Sequence, residues 1–219
     1  MKTVYITEKP SQAQDYVKAL GIHGQRRDGY VESGDTIVTW CVGHLVAMSY
    51  PEKYDPAMKK WKLDTLPFIP EQYKYEVIGN VKKQFQVVKT LLTRDDVGTI
   101  YFAGDSGREG QYIEELVIMM CGPKVKKKTQ KRVWIDSTTQ EEIKRGIREA
   151  KDMSAYACLG KSGFLRAKED YLMGINFSRL VTLKYGDEVK RLLGMDKLVI
   201  AVVITGFVVP EAPVFIRFI

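Results

Sequence analysis

The residues best suited to chemistry lie in a short acidic stretch that follows an apolar run. The run ends at Ala103, and Asp105, Arg108 and Glu109 follow it closely. The two carboxylates are hard oxygen ligands of the kind that Mg²⁺ prefers, and the arginine offers a planar fork for phosphate. Interleaved glycines would let the backbone turn tightly and approach a ligand. The same pattern also fits a solvated loop before a capped helix, because short motifs match by chance.

A second acid and base, Glu8 and Lys9, stand side by side near the start of the chain. They follow a β-branched and aromatic run at residues 3–7 and precede a helical pattern with Ser11 as a candidate N-cap. They therefore occupy a strand-to-helix corner like that of Asp105, where they could serve a metal and a phosphate. A Glu-Lys pair is also ordinary solvated surface, so this dipeptide alone does not decide between the two interpretations.

Three further segments carry polar side chains that allow two interpretations each. His44 follows the buried run 36–42, where a lone histidine is more often structural than catalytic. Trp61 lies among lysines in a Pro-rich connector, residues 51–70, which suits a nucleic-acid strand or an ordered surface loop. The basic run 124–132 is either solvated or lines a phosphate track.

The elements that must position these residues alternate between strand and helix. Strand patterns occupy residues 3–7, 36–42, 75–78, 100–103 and 133–135. Helical periodicity occupies residues 13–20, 81–93, 113–120 and 143–150, whereas 26–35 is polar and rich in turns. This alternation predicts an α/β domain with a mostly parallel sheet flanked by helices. In such a sheet the active site lies beyond the carboxyl ends of the strands.

The character of the chain changes after Asp152. We expect one domain over residues 1–152 and the start of a mainly helical domain, apparently truncated, over residues 153–219. Residues 165–185 are nearly all helix-forming, with basic residues among apolar ones. The apolar run 198–209 is stopped by a proline and is too short to span a bilayer.

The composition limits the partners and the compartment. The net charge of +7 and the pI near 9.1 fit a polyanion partner, although a basic protein without such a partner also fits. Three cysteines without CxxC spacing argue against a zinc site or a disulfide framework and suit a reducing cytoplasm. The chain starts with a strand pattern and no signal peptide, so we expect a cytoplasmic protein that does not associate with membranes.

Four stretches, taken in order along the chain, resemble one family. They are Ile6-Thr7-Glu8-Lys9-Pro10-Ser11, Gly43-His44-Leu45, Asp105-Ser106-Gly107-Arg108-Glu109-Gly110-Gln111, and residues 170–179. They are similar to motifs of bacterial type IA DNA topoisomerases, especially those like topoisomerase III, and together are more specific than any one motif. The resemblance implies a Toprim (Rossmann-like) fold for the first domain, followed by part of a helical domain.

The resemblance implies an ATP-independent reaction on DNA, particularly single-stranded DNA. In this family a tyrosine attacks a phosphodiester and becomes linked to the 5′ phosphate, a second strand passes through the break, and the break is resealed. Glu8, Asp105 and Glu109 would hold Mg²⁺, with Glu8 also close to the scissile phosphate. Lys9 would stabilise the charge that develops at the phosphate, and Arg108 would bind it.

The resemblance also implies DNA contacts from Arg108, Arg179 and Gln111, and a place near the nucleoid of a bacterial cytoplasm. Two positions depart from the family pattern. Gly107 stands where many relatives have Asp, and Gln111 stands where they usually have Glu. With two fewer acids, Mg²⁺ binding should be weaker or should depend on DNA phosphates to complete it.

The largest departure concerns the nucleophile. None of the twelve tyrosines lies in the Arg-Tyr-Pro-Arg-like context of the family's catalytic tyrosine, and residues 200–219 do not follow the family. We therefore expect this chain to hold the metal acids and to need missing topoisomerase domains for the attacking group. The alternatives are a truncated, inactive DNA-binding remnant and another Toprim phosphoryl-transfer enzyme, such as a primase or nuclease. The match at residues 170–179 argues against the last of these.

Overall fold

Most of the strands join into a single sheet in a computed structural model, which describes residues 1–193, 200–203 and 214–217. In chain order the first nine strands are β1 (Lys2–Thr7), β2 (Gln25–Arg27), β3 (Tyr30–Ser33), β4 (Thr36–Trp40), β5 (Val46–Met48), β6 (Tyr75–Val77), β7 (Val97–Ala103), β8 (Thr129–Arg132) and β9 (Lys151–Asp152). Seven of them form a sheet in the order β2-β3-β4-β1-β7-β8-β9. The four central strands are parallel, and antiparallel strands lie at both edges. The predicted α/β class with a mostly parallel sheet is confirmed.

The described residues include six α-helices, some of which cover the two faces of this sheet. They are α1 (Pro10–Ala19), α2 (Lys82–Thr93), α3 (Arg108–Cys121), α4 (Pro123–Lys126), α5 (Gln140–Arg148) and α6 (Ala157–Leu193). Tyr5 and Val38 pack with buried residues of α1 and α5 in one hydrophobic cluster. Because side chains alternate across a strand, the buried Val4 and Ile37 face the other side, and α2 contacts both α3 and β7. Of the helices that the structure describes, none has both the length and the apolar character to cross a membrane.

The contacts divide the chain into two compact units. Unit 1 comprises Met1–Ala47 and Glu76–Gly163, and unit 2 comprises Met48–Tyr75 and Phe164–Ile219. These units are defined by contacts, whereas the boundary predicted at Asp152 marks a change in the sequence from an α/β pattern to a helical one. The predicted domain boundary therefore stays a prediction.

Unit 2 has its own small core of Phe68, Tyr171 and Ile175. The Tyr171 hydroxyl donates to Ser49 O at 2.6 Å, and the Asn176 amide bonds both backbone groups of Phe68 at 2.6 and 2.9 Å. Three 3₁₀ turns at Pro51–Lys53, Pro56–Lys59 and Leu63–Thr65 give the Pro-rich connector an ordered path. These contacts fix the connector against the α6 residues of the same unit.

The end of the chain contains two short strands, β10 (Ile200–Val203) and β11 (Val214–Arg217), which pair in parallel with each other. The rest of the predicted apolar run at 198–209 lies outside the described residues. The side-chain packing expected for that run therefore stays a prediction.

Three local predictions are corrected by the structure. The polar stretch 26–35 is part of the β2–β3 hairpin, whose exposed basic residues are typical of an edge strand. The strand predicted at 133–135 is instead β8, because the end of the basic run pairs with β7. Helix α1 begins at Pro10, with Lys9 rather than Ser11 as its N-cap.

Two buried tyrosines should respond in opposite ways to the same substitution. The Tyr16 hydroxyl is buried with no hydrogen-bond partner among the described residues, whereas the Tyr171 hydroxyl is bonded to Ser49. We expect Tyr16→Phe to leave the free energy of unfolding unchanged or slightly higher, and Tyr171→Phe to lower it by about 1 kcal/mol. Urea denaturation of both variants measures this. A loss of more than about 1 kcal/mol in Tyr16→Phe would contradict the assignment of an unsatisfied hydroxyl.

Candidate functional site

Parallel pairing of β1 with its two neighbours brings three strand ends to one edge of the sheet. Thr7 pairs with Trp40 on one side and with Ala103 on the other. The residues that follow these strands lie where doubly wound sheets place their sites. Glu8 and Asp105 are neighbours there, with the Asp105 N–H donating to Glu8 Oε2 at 3.4 Å. The two corners predicted separately from the sequence are therefore one place.

The Lys9 ammonium lies between these two carboxylates. Its Nζ is 2.9 Å from Asp105 Oδ2 and 3.4 Å from Glu8 Oε1. The hydrogen bond to Asp105, followed by the charge of Glu8, raises the pKa of Lys9. Burial by itself raises the pKa of Asp105, but hydrogen bonds from Lys9 and Gln12 outweigh this effect and lower it. About half of the Lys9 side chain is exposed, so the ammonium is also accessible from solvent.

Gln12 is a residue of the site that the sequence reasoning missed. Its Oε1 accepts from the Lys9 N–H at 3.1 Å, and its Nε2 donates to Asp105 Oδ1. One side chain thus caps the start of α1 and orients an acid of the site. A signal was present in the sequence, because a glutamine three residues after an N-cap is half of a capping box.

Glu109 has a different partner from the one predicted for it. Its Oε1 lies 2.6 Å from His44 Nε2, and that hydrogen bond lowers the pKa of Glu109. Within the described residues, no three His, Cys, Asp or Glu side chains are grouped so as to hold a metal ion. The structure therefore brings Glu8 and Asp105 together, while Glu109 is bonded to His44 at the same corner.

The other two predicted residues of the acidic motif differ in exposure. Arg108 is exposed at the first position of α3, where a phosphate could reach it. Gln111 is fully buried, and its Oε1 accepts from Arg132 Nε at 3.1 Å. Gln111 precedes the buried Glu114 by three residues and shares its inward face of α3. The predicted DNA contact from Gln111 is thus corrected, because the side chain has no exposed atom.

Arg179 lies in unit 2 and is almost fully buried. Its guanidinium donates to Met58 O at 3.1 Å, lies 3.8 Å from a Glu52 oxygen, and stacks 5.1 Å from the centre of the Trp61 ring. Burial lowers the pKa of Arg179. These contacts favour the ordered-loop interpretation of Trp61. A DNA contact by Arg179 would require the guanidinium to leave its partners.

A buried ion pair that the sequence did not indicate lies beneath the acidic turn. Arg132 Nε is 3.0 Å from Glu114 Oε2, and both side chains are buried. Glu114 Oε1 accepts from the Gly104 N–H at 2.6 Å, and Arg132 donates to the Asp105 carbonyl at 2.7 Å. Burial raises the pKa of Glu114 to about 7, against the lowering effects of Arg132 and the Gly104 N–H. The basic run that ends at Arg132 is therefore not all solvated surface.

Two glycines of the motif differ in whether the structure requires glycine at their positions. A Cβ at Gly110 would lie 3.0 Å from the backbone nitrogen and carbon of Asp105, so the first turn of α3 packs directly on that residue. Gly107 is the N-cap of α3, with an extended backbone at φ −178 and open space where a Cβ would stand. The backbone therefore requires glycine at 110 and permits other residues at 107.

The acids at this corner fit a magnesium ion in kind and number. Mg²⁺ is commonly held by one or two carboxylates together with waters and substrate phosphates. Glu8 and Asp105 supply two carboxylates, and the Lys9 ammonium now lies against an oxygen of each. A cation is thus already accommodated between them, so the donor set suits a divalent ion that a phosphate would complete.

Comparison with known proteins agrees with the fold and the motifs. Residues 3–138 match the family model described as Toprim domain, and the chain belongs to the Toprim family. It is 42% identical over 185 residues to DNA topoisomerase 3 of Staphylococcus aureus (strain MRSA252). It is 40% identical over 185 residues to DNA topoisomerase 3 of Staphylococcus epidermidis. Each match covers 84% of this chain and 26% of the relative, so the chain spans about a quarter of the length of these curated relatives.

A solved structure supports the same fold. The chain resembles full-length topoisomerase I from Thermotoga maritima with a TM-score of 0.54, over 82% of this chain and 26% of the other. The sequence identity is 17%, so this likeness concerns the fold alone. The resemblance to topoisomerase III-like proteins that the four motifs predicted is confirmed by the Staphylococcus relatives.

The contacts of Lys9 predict a measurable change in Asp105. We expect Lys9→Gln to raise the pKa of the Asp105 carboxyl, because the mutation removes the ammonium that favours the charged form. A carboxylate with a lowered folded-state pKa adds stability above its ordinary pKa, and this is lost as pH falls through the lowered value. In Lys9→Gln that loss should therefore occur at higher pH. Carbon-13 NMR titration of the carboxyl group measures the shift.

The exposed Lys18, in the last turn of α1, supplies the control for this titration. Lys18→Gln removes the same charge from the same helix without touching the corner. An Asp105 pKa that moved equally in both variants, or in neither, would show that Lys9 does not hold this carboxylate.

Proposed function

We propose that this chain is the Toprim part of a type IA DNA topoisomerase, which cleaves and reseals one DNA strand with Mg²⁺ and without ATP. One observation carries the proposal. Glu8, Lys9 and Asp105 meet at the carboxyl ends of β1 and β7, in a chain 42% identical to DNA topoisomerase 3 over 185 residues. An acid pair with a cation beside it suits a phosphate at which charge develops.

Glu8 and Asp105 are the residues proposed to hold Mg²⁺, with Glu109 as a third acid at the same corner. When bound, the ion supplies Lewis-acid stabilisation of the negative charge on the phosphoryl oxygens. The Glu109 carboxylate is bonded to His44, 2.6 Å away, and this bond keeps the carboxylate ionised and oriented. In this proposal His44 serves the site by holding Glu109.

Lys9 and Arg108 are the cations proposed to contact the scissile phosphate. The Lys9 ammonium is half-exposed and lies beside both acids, so a phosphate held there would be within reach of it. Arg108 is exposed at the start of α3 and carries a fork that fits two phosphate oxygens. Positive charge placed where negative charge builds up stabilises the transition state more than the ground state.

The proposed substrate is DNA, particularly single strands, and the attacking tyrosine is proposed to come from further topoisomerase domains. The net charge of +7 favours a polyanion, and no tyrosine of this chain has the sequence context of the family's nucleophile. A DNA substrate would place the protein at the nucleoid, in the bacterial cytoplasm. Without those domains the chain would bind DNA and leave it intact.

The decisive test is DNA binding beside DNA cleavage. We expect the chain to bind single-stranded DNA with an affinity that falls as salt rises. We expect neither relaxation of supercoiled plasmid in Mg²⁺ nor a covalent 5′ adduct, because the nucleophile is not in this chain. Fluorescence anisotropy at two salt concentrations and a plasmid assay measure these properties.

Each other outcome would point to a different function. Relaxation with an adduct would mean that one of these tyrosines attacks the phosphate. Cleavage to free ends would favour a Toprim nuclease, and primer synthesis from nucleoside triphosphates would favour a primase. Failure to bind DNA at low salt would contradict both the topoisomerase proposal and the inactive DNA-binding remnant.

The number of acids at the corner should control metal affinity. We expect Asp105→Asn to weaken Mn²⁺ binding, used as a probe for divalent ions, by more than about tenfold. Gly107→Asp should tighten it, because that position has open space for a further carboxylate. Isothermal titration calorimetry measures both effects. Asp95→Asn is the control, since Asp95 is exposed just before the opposite end of β7, and an equal loss there would contradict the proposed ligands.

A further inference from the structure

We propose that Arg132 and Glu114 are positioning residues for the candidate site. They form a buried clamp that fixes the backbone of Gly104 and Asp105 and so sets where the Asp105 and Glu8 carboxylates stand. Neither residue belongs to the motifs that carry the family resemblance, and neither reaches the surface. The inference rests on the proposed function, since it concerns the same acids.

The donors of Arg132 converge on the end of β7 and on the turn that follows it. The side chain is fully buried. It donates to the carbonyl oxygens of Phe102 at 3.3 Å, Gly104 at 3.1 Å and Asp105 at 2.7 Å. A fourth bond goes to its own neighbour, Val133, at 2.9 Å. The guanidinium thus bonds three carbonyl oxygens at the end of β7 and in the turn, in a fixed planar geometry that the ammonium of a lysine lacks.

Glu114 holds the same turn through the backbone N–H of Gly104. Its Oε1 accepts from the Gly104 N–H at 2.6 Å, while Arg132 bonds the Gly104 carbonyl. Both backbone groups of Gly104 are therefore bonded to side chains of the buried ion pair. This arrangement fixes the peptide planes on both sides of Gly104, where a glycine would otherwise be free to rotate.

The clamp also reaches Glu8 through the peptide that joins Gly104 to Asp105. In a trans peptide the C=O and the N–H point in opposite directions. Because the Gly104 carbonyl points inward to Arg132, the Asp105 N–H points outward, and it donates to Glu8 Oε2 at 3.4 Å. One buried side chain thereby relates the two acids proposed to share the metal.

A contribution to stability alone would not explain why a buried ion pair is present here. Replacing both members of a buried ion pair by well-packed neutral residues is often neutral or even stabilising, whereas removing one member leaves a costly unpaired charge. This difference makes a double substitution informative. Arg132→Met combined with Glu114→Leu removes the side-chain hydrogen bonds of both residues to the turn and leaves no buried charge behind.

The experiment measures backbone order and metal affinity on the whole chain. In the double variant we expect amide hydrogen exchange at Gly104 and Asp105 to become faster, while the central amides of β1 keep their wild-type rates. We expect Mn²⁺ affinity to fall by about tenfold or more, as for other residues that orient metal ligands. Arg132→Lys, which keeps the charge and loses the fork, should show the same two changes to a smaller degree.

Leu92→Ala is the control for a general loss of stability, because Leu92 is fully buried on α2 and is not part of the Arg132–Glu114 ion pair. In its folded state this variant should keep wild-type Mn²⁺ affinity, and its exchange should rise across the sheet rather than at the turn. If the double variant does not fold, Arg132→Lys is judged by the same two measurements.

The outcomes separate this inference from the proposed function. Wild-type exchange at Gly104 and Asp105 in a folded variant would overturn the clamp. So would faster exchange with undiminished Mn²⁺ affinity, because the turn would then not position the acids. If the wild-type chain bound no Mn²⁺ at all, the metal proposal would fail. The clamp would then stand or fall on hydrogen exchange alone.

Discussion

The register between β1 and β7 is the constraint on which the rest of the site depends. Val4 pairs with Ile100 and Ile6 with Phe102, all four side chains being buried, while Tyr5 stacks on Tyr101 with ring centres 4.9 Å apart on the opposite face. Shifting this pairing by one residue would turn every buried side chain to the wrong face. The hydrophobic core therefore determines that both strands end level with each other, and the acids that follow them become neighbours.

The interior beneath the site has a charge balance of its own. Arg132 is shared between the Glu114 carboxylate and the Gln111 amide, and all three side chains are buried. A carboxylate at position 111 would place two acids on one buried cation, and burying an uncompensated charge is costly. The neutral amide of Gln111 therefore suits a chain that has Glu114. Having Gln rather than Glu at this position therefore changes the charge of the buried interior and does not remove an exposed metal ligand.

The strongly patterned parts of the fold could be predicted from the sequence, and the polar interior could not. The strands β1, β4 and β7 and the helices α2 and α3 have clear apolar patterns, so their type and their order along the chain followed from burial alone. The β2–β3 hairpin was missed because an edge strand with exposed arginines has no apolar pattern. The strand at 129–132 was hidden because a basic run usually indicates solvated surface, whereas the last residue of this run, Arg132, is buried where the strand pairs with β7.

The candidate site divides in the same way. Glu8, Lys9 and Asp105 could be found because each follows a strand of a parallel sheet, where topology predicts that such residues meet. Their partners were harder to find. Gln12 left only the signal of a capping box, His44 was noted without its partner Glu109, and Arg132 acts through buried geometry that leaves little trace in spacing. Gln111 shows the converse error, because a polar residue in a surface motif was assumed to face the solvent.

In the proposed function, electrostatics would link metal binding to nucleic-acid binding at this corner. Glu8 and Asp105 are two acids with the Lys9 ammonium between them. An approaching phosphate would be repelled by the acids unless a divalent ion neutralised them, and the ion in turn would lack ligands unless a phosphate supplied oxygens. In the proposed function each partner therefore improves the binding of the other by the same factor, as linkage requires. Lys9, which contacts both carboxylates, holds Glu8 and Asp105 together at this corner.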